Sequence, residues 1–98
     1  MSFYHFVGQL ADHVFVYAPI SGGLNWRLIY ALKRALEGEI FSLKKRRELK
    51  AELTELRKIV KILGALEEDV PHEELLTLEL SKAIGEFYKV AGEKILKR

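Results

Sequence analysis

Eleven cationic side chains fall between residues 27 and 61 of the sequence: Arg27, Lys33, Arg34, Lys44, Lys45, Arg46, Arg47, Lys50, Arg57, Lys58 and Lys61. Five acidic residues share that stretch, so its net charge is +6. Residues 1–26 carry −1 and residues 62–98 carry −3, which leaves only +2 for the whole chain. A basic block inside a nearly neutral chain is the pattern of a surface that neutralises phosphates. Trp26 and Tyr30 stand one helical turn apart, with Lys33 one turn further on. Aromatic rings beside cations can stack bases while the cations neutralise the backbone. Plainer readings stand beside both: aromatics packed in a core, a solvated helix face, or an acidic protein partner.

The other reactive side chains do not assemble into a catalytic pattern. His5 and His13 are eight residues apart, about 12 Å of helical rise. That is too far for one metal ion, since ligands on adjacent turns want a spacing of four, as in H-E-x-x-H. With Gln9 and Asp12 they read as exposed polar positions. His72 reads as a solvated residue at a helix start. Ser21, Ser42 and Ser81 have no histidine or acid companion in sequence. Ser21-Gly22-Gly23-Leu24 precedes a helix and could receive an anion at its N-terminus, but it lacks the lysine and the glycine spacing of a phosphate-binding loop. Glu67-Glu68-Asp69 with Glu73-Glu74 lacks the alternating oxygen ligands and central glycine of a calcium loop. Helix-end electrostatics explains it, with contact to a neighbouring copy's basic residues as the second reading. Cysteine is absent, which excludes disulfides, thiolate zinc sites and thiol catalysis. The expectation is a protein that is not an enzyme and has no cofactor or metal.

The elements that must position these groups are helical. At 98 residues the chain is one domain. Its charged fraction of 31% and apolar fraction of 49% suit a globular chain and exclude a disordered one. The first helix is expected over about Phe3–Tyr17, with Ser2 as N-cap and Phe3, Val7, Leu10, Val14 and Tyr17 inward. A break follows at 18–23. The second helix is expected over about Leu24–Glu37, capped by Ser21 or Asn25 and ended by Gly38, with Leu24, Leu28, Leu32, Ala35 and Leu36 buried. The third runs from Ser42 or Leu43 to Glu67 on a seam of Leu49, Leu53, Leu56, Val60 and Leu63, widened by Ile59 and Leu66. The fourth begins near Pro71 and reaches about Leu96, burying Leu76, Leu80, Ala83, Ile84, Phe87, Ala91 and Ile95; Lys94, Lys97 and Arg98 fill its last turn. The predicted fold class is all-α, a small bundle of about four amphipathic helices in a single domain.

Stepping the third helix at about 100° per residue from Leu49 sorts its charge: Arg46, Arg57, Lys50, Lys61, Arg47 and Lys58 fill an arc from about 60° to 180°, interrupted only by Thr54. Glu48, Glu52 and Glu55 take the opposite flank. If straight, the basic run from 46 to 61 spans about 22 Å.

Asn and Gln occur once each, the only Met is Met1, and Lys and Glu abound, which is a thermophile habit. No apolar run approaches the roughly 18 residues of a membrane span. The N-terminus has no basic region or cleavage site of a signal peptide, so a cytoplasmic location is expected.

The stretch from Val7 to Glu37, VGQLADHVFVYAPISGGLNWRLIYALKRALE, joins a short apolar helix, an aromatic turn and an Arg-bearing helix. It resembles the small subunit of archaeal CRISPR surveillance (Cascade-type) complexes of antiviral defence, with the Pro19–Gly23 loop as a departure. The resemblance implies a non-catalytic subunit present in several copies side by side, within a ribonucleoprotein. Its cations would steady single-stranded DNA or RNA, above all the displaced strand of an R-loop, while the guide RNA reads sequence. No membrane partner is implied. The eleven cations named above are the candidate contacts, chosen by charge and face. The alternative is a helical adaptor or small homodimer whose third and fourth helices zip with a partner. A helix-turn-helix fits less well, because the 18–23 loop is too long and the Gly38 corner lacks the compact turn.

Overall fold

Apolar stripes at helical spacing continue past both of the glycine and proline signals that mark the first two breaks, and the helices follow the stripes. The computed structural model describes residues 2–68 and 73–96, with side chains as far as residue 92. In chain order the elements are α1 (Ser2–Asp12), a π-helical turn (His13–Tyr17), α2 (Ala18–Ser21), α3 (Trp26–Leu43), a 3-10 turn (Arg47–Leu49), α4 (Lys50–Glu68) and α5 (Glu73–Leu96). No strand occurs among the described residues, and the all-α expectation holds. The predicted roles of Asp69, Pro71, His72, Lys97 and Arg98, and the side chains of Lys94 and Ile95, lie outside the described residues.

The first helix does not stop at Tyr17. It passes through Pro19 by widening one turn: the Ala18 N–H donates to the His13 carbonyl, five residues back. Pro19 has no N–H to give, and its ring would crowd the Phe15 carbonyl in a regular helix. A π turn just before it relieves both problems. The extra residue in that turn re-aims the stripe, so Val14 is followed inward by Ala18 and not by Tyr17, which is 62% exposed. His13, the first residue of the widened turn, is buried at the edge of the stripe, which corrects its reading as an exposed polar residue. Gly22 then ends α2 in the left-handed region at φ +86°, its N–H donating to the Ala18 carbonyl at 2.9 Å. Only glycine takes that conformation without cost, so Gly22 ends the first helical run.

Asn25 caps α3, as one of the two predicted caps: its side-chain oxygen accepts from the Leu28 N–H at 3.3 Å. The helix then runs through Gly38 to Leu43. Ile40 and Leu43 continue the packed stripe of Ile29, Leu32 and Leu36. Burying two such side chains outweighs the roughly 1 kcal/mol lost at a helical glycine. The third helix accordingly starts later than expected. Lys44, Lys45 and Arg46 form a corner, with Arg46 extended at ψ 107°, and α4 proper opens at Lys50.

α1 packs on α3, α3 on α4 and α4 on α5, while α5 closes more loosely on α1. The core joins Phe3, Val7 and Leu10 of α1 to the leucines of α3 and α4 and to Leu80, Ile84 and Phe87 of α5. Phe87 meets Phe3 edge-on, with ring centres 6.1 Å apart. The buried stripe of α4 is rolled toward the flank that reads as its acidic edge. Ile59 and Leu66 are fully buried, Val60 only partly, and Glu52 is buried among them.

Candidate nucleic-acid interface

α3 and α4 are joined by the short corner and lie antiparallel, since Lys33 of α3 reaches Glu67 near the far end of α4, at 3.1 Å. Their leucines turn inward, so their outer faces lie side by side and meet at the corner. On α3 that face carries Trp26, Arg27, Tyr30, Arg34 and Phe41, all exposed. The corner and the 3-10 turn add Lys44, Lys45, Arg46 and Arg47, and α4 adds Lys50, Arg57, Lys58 and Lys61, again all exposed. Arg46 and Arg47 thus belong to the corner and not to the regular face of α4. Lys50 to Lys61 is about 16 Å of helix.

Partners divide these cations. Lys33 is half-buried, and its hydrogen bond to Glu67 holds its pKa above the ordinary lysine value against the opposing pull of desolvation. It ties α3 to α4. Lys58 pairs with Glu55 at 3.2 Å, and Arg46 reaches Glu48 at 3.6 Å. Lys58 and Lys61 also flank an apolar groove against α5, lined by Ile62, Ala65, Leu76 and Ala83 with Glu79 at its edge. Arg27, Lys45, Arg47, Lys50 and Arg57 have no ion-pair partner among the described residues.

The aromatic residues of this face are not core residues. Trp26 is 38% exposed, Tyr30 50% and Phe41 72%. Two of them hold cations. Arg34 donates from Nη1 to the Tyr30 hydroxyl at 3.1 Å, with its guanidinium 5.7 Å from the ring centre. The Lys44 ammonium stands 4.4 Å above the Phe41 ring. Phe41 escapes the sequence reading because Gly38 signals a helix end before it. Its own signal, an aromatic residue three positions before a lysine, is legible only on a helix that continues.

His13 lies apart from this surface. Its Nε2 accepts the Asn25 N–H at 2.9 Å, which requires the neutral ring, and burial lowers its pKa in the same direction. It therefore fastens the start of α3 to the π turn. Beyond it Phe15, Val16, Tyr17 and Ile20 are exposed, as are Leu75 and Leu78 on α5. Among the described residues no helix is long and apolar enough to cross a membrane, and no three His, Cys, Asp or Glu side chains are grouped to hold a metal ion. Comparison of the chain with protein families, with curated proteins and with solved structures finds no match.

Proposed function

We propose that this protein binds nucleic acid without catalysis, gripping backbone phosphates through the continuous basic surface of α3, the corner and α4. One observation carries the reading: ten of the eleven candidate cations are exposed on adjoining elements, and only Lys33 is half-buried and committed to an internal partner. Phosphate contact by Lys and Arg is a sequence-independent interaction, which suits a subunit that holds a strand for another component to read. The resemblance of residues 7–37 extends the proposal: a small subunit of a CRISPR RNA-guided effector complex, in several copies, steadying the displaced strand.

Salt titration of binding to labelled oligonucleotides tests this. If about five phosphates are neutralised, affinity should fall about a hundredfold between about 50 and 200 mM salt. Reversing Arg46, Arg47, Lys50 and Arg57 to Glu in a folded variant should abolish binding. Unchanged binding by that variant, or none by the native protein at low salt, overturns the proposal. The exposed Phe15, Tyr17, Ile20, Leu75 and Leu78 favour a second reading, a helical adaptor or dimer. That reading predicts self-association or partner capture that salt does not weaken.

A further inference from the structure

Between Tyr30 and Phe41 the outer face of α3 is hollowed. The hollow holds about 500 Å³ and is lined by Tyr30, Arg34, Glu37, Gly38 and Phe41, with Lys33 at its margin. Gly38 is part of its lining, and a Cβ there would meet nothing within 4 Å. A glycine in the interior of an exposed helix face weakens the helix and is not needed here for backbone conformation, since Gly22 alone has positive φ. What it provides is room between two rings. Each ring already carries a cation, Arg34 on Tyr30 and Lys44 on Phe41. The rings are eleven residues apart, about 16 Å along the helix.

Resting on the phosphate-binding reading above, we propose that Tyr30 and Phe41 are two stacking subsites for unpaired bases, with Arg34 and Lys44 as the phosphate partners of each. In a duplex the bases are already stacked on one another and cannot meet a protein ring lying on a surface. A single strand offers every base a free face, and a ring beside a cation meets base and backbone together. The site therefore selects single strands over duplexes and is indifferent to sequence. Glu37 stands in the same hollow, and its charge opposes phosphate.

Fluorescence anisotropy with labelled oligo(dT) and a duplex of equal length separates the possibilities. The single strand should bind tighter than the duplex. Tyr30→Ala and Phe41→Ala should each weaken single-strand binding about tenfold, the loss of one stacked base, and leave duplex binding unchanged. Tyr30→Phe keeps the ring and should keep the affinity. Gly38→Leu fills the hollow while removing no charge and no ring, and it improves helix propensity, so it folds; it should weaken the single strand alone. Glu37→Gln should tighten it. Equal single-strand and duplex affinity, or no loss with either ring removed, overturns the stacking sites and leaves the phosphate surface standing. Absence of binding to both probes overturns both readings.

Discussion

Replacing Arg47 and Lys50 together with glutamate should raise the stability of the folded protein while weakening the proposed hold on nucleic acid. Arg47 opens the 3-10 turn and Lys50 is the first residue of α4. The unsatisfied N–H groups of a helix start amount to about half a positive charge, which disfavours a cation and favours a carboxylate by about 0.3–1 kcal/mol at an exposed position. Both side chains are exposed, and neither is ion-paired among the described residues, so the exchange breaks no salt bridge. The two positions lie three apart and repel one another as cations; as carboxylates they repel equally, and that contribution cancels. Reversing both signs should therefore add about 1 kcal/mol at moderate salt. For a domain of this size that is an increase in Tm of about 4–8 °C. On a single strand the slope of log affinity against log salt should fall by about 0.7 for each phosphate no longer neutralised. Thermal melting by circular dichroism reads the first effect and anisotropy the second. A lower Tm would refute the electrostatic reasoning. A higher Tm with unchanged affinity would show that the corner does not touch phosphate.

His13→Leu should cost about 1–3 kcal/mol at pH 7.5, since the Asn25 N–H loses its acceptor. Because burial lowers the folded pKa of His13, its contribution is complete above the ordinary histidine value of 6.5 and is lost as pH falls through the folded value. Melting at pH 7.5, 6.5 and 5.5 should show a decline in the native protein that the Leu variant lacks in part. Gly64→Ala should stabilise by about 1 kcal/mol, because its Cβ would meet only the Lys33 Cε at an ordinary 3.9 Å; urea unfolding checks it. Phe87→Ala should cost about 3–5 kcal/mol in the same assay, as it empties the packing that closes α5 on α1.

The spacing of apolar residues makes most of the core legible. Phe3, Val7, Leu10, Leu32, Leu36, Leu49, Leu53, Leu56, Leu63, Leu80, Ile84 and Phe87 are all expected inside and all lie there. The local signals mislead, because each is weaker than the packing it competes with. Gly38 marks an end only if nothing apolar follows at the right spacing, and Ile40 and Leu43 follow. Pro19 breaks a helix only if no wider turn can absorb it. One residue absorbed there is enough to exchange Tyr17 for Ala18 at the core. On α4 a wheel centred on Leu49 is rolled from the true packing, whose centre lies nearer Leu56 and Leu63 and turns Glu52 inward. A carboxylate's burial depends on what meets it from another element, and that cannot be read from its own helix. The cations of the site are legible as a set because exposure is the default for Lys and Arg. The role of Lys33 is not, since its partner is 34 residues away.

If the surface grips a strand as proposed, the partners of those cations also decide where the grip is strongest. Toward α5 the charge is partly neutralised: Lys58 is paired with Glu55, and Lys61 shares its groove with Glu79. Toward the far end of α4 it is neutralised again, where Lys33 meets Glu67. At the opposite end, from the corner to the middle of α4, lie Lys45, Arg47, Lys50 and Arg57, with no ion-pair partner among the described residues, and beside them Lys44 against Phe41. A net charge of only +2 cannot draw a polyanion from a distance. At physiological salt, fields from exposed charges die within about 8 Å, so what counts is the cations inside one such radius of a bound phosphate. The corner concentrates them at the point where α3 delivers Phe41. A strand lying along α3 would thus meet the Tyr30–Arg34 pair first and the Phe41–Lys44 pair last, at a corner where Arg46 alone has a carboxylate partner among the described residues, and the acidic residues of α5 would be screened from most of its length. Neutral variants of Lys58 and Lys61 should accordingly cost less affinity than neutral variants of Lys45 and Lys50, although all four are lysines on one surface.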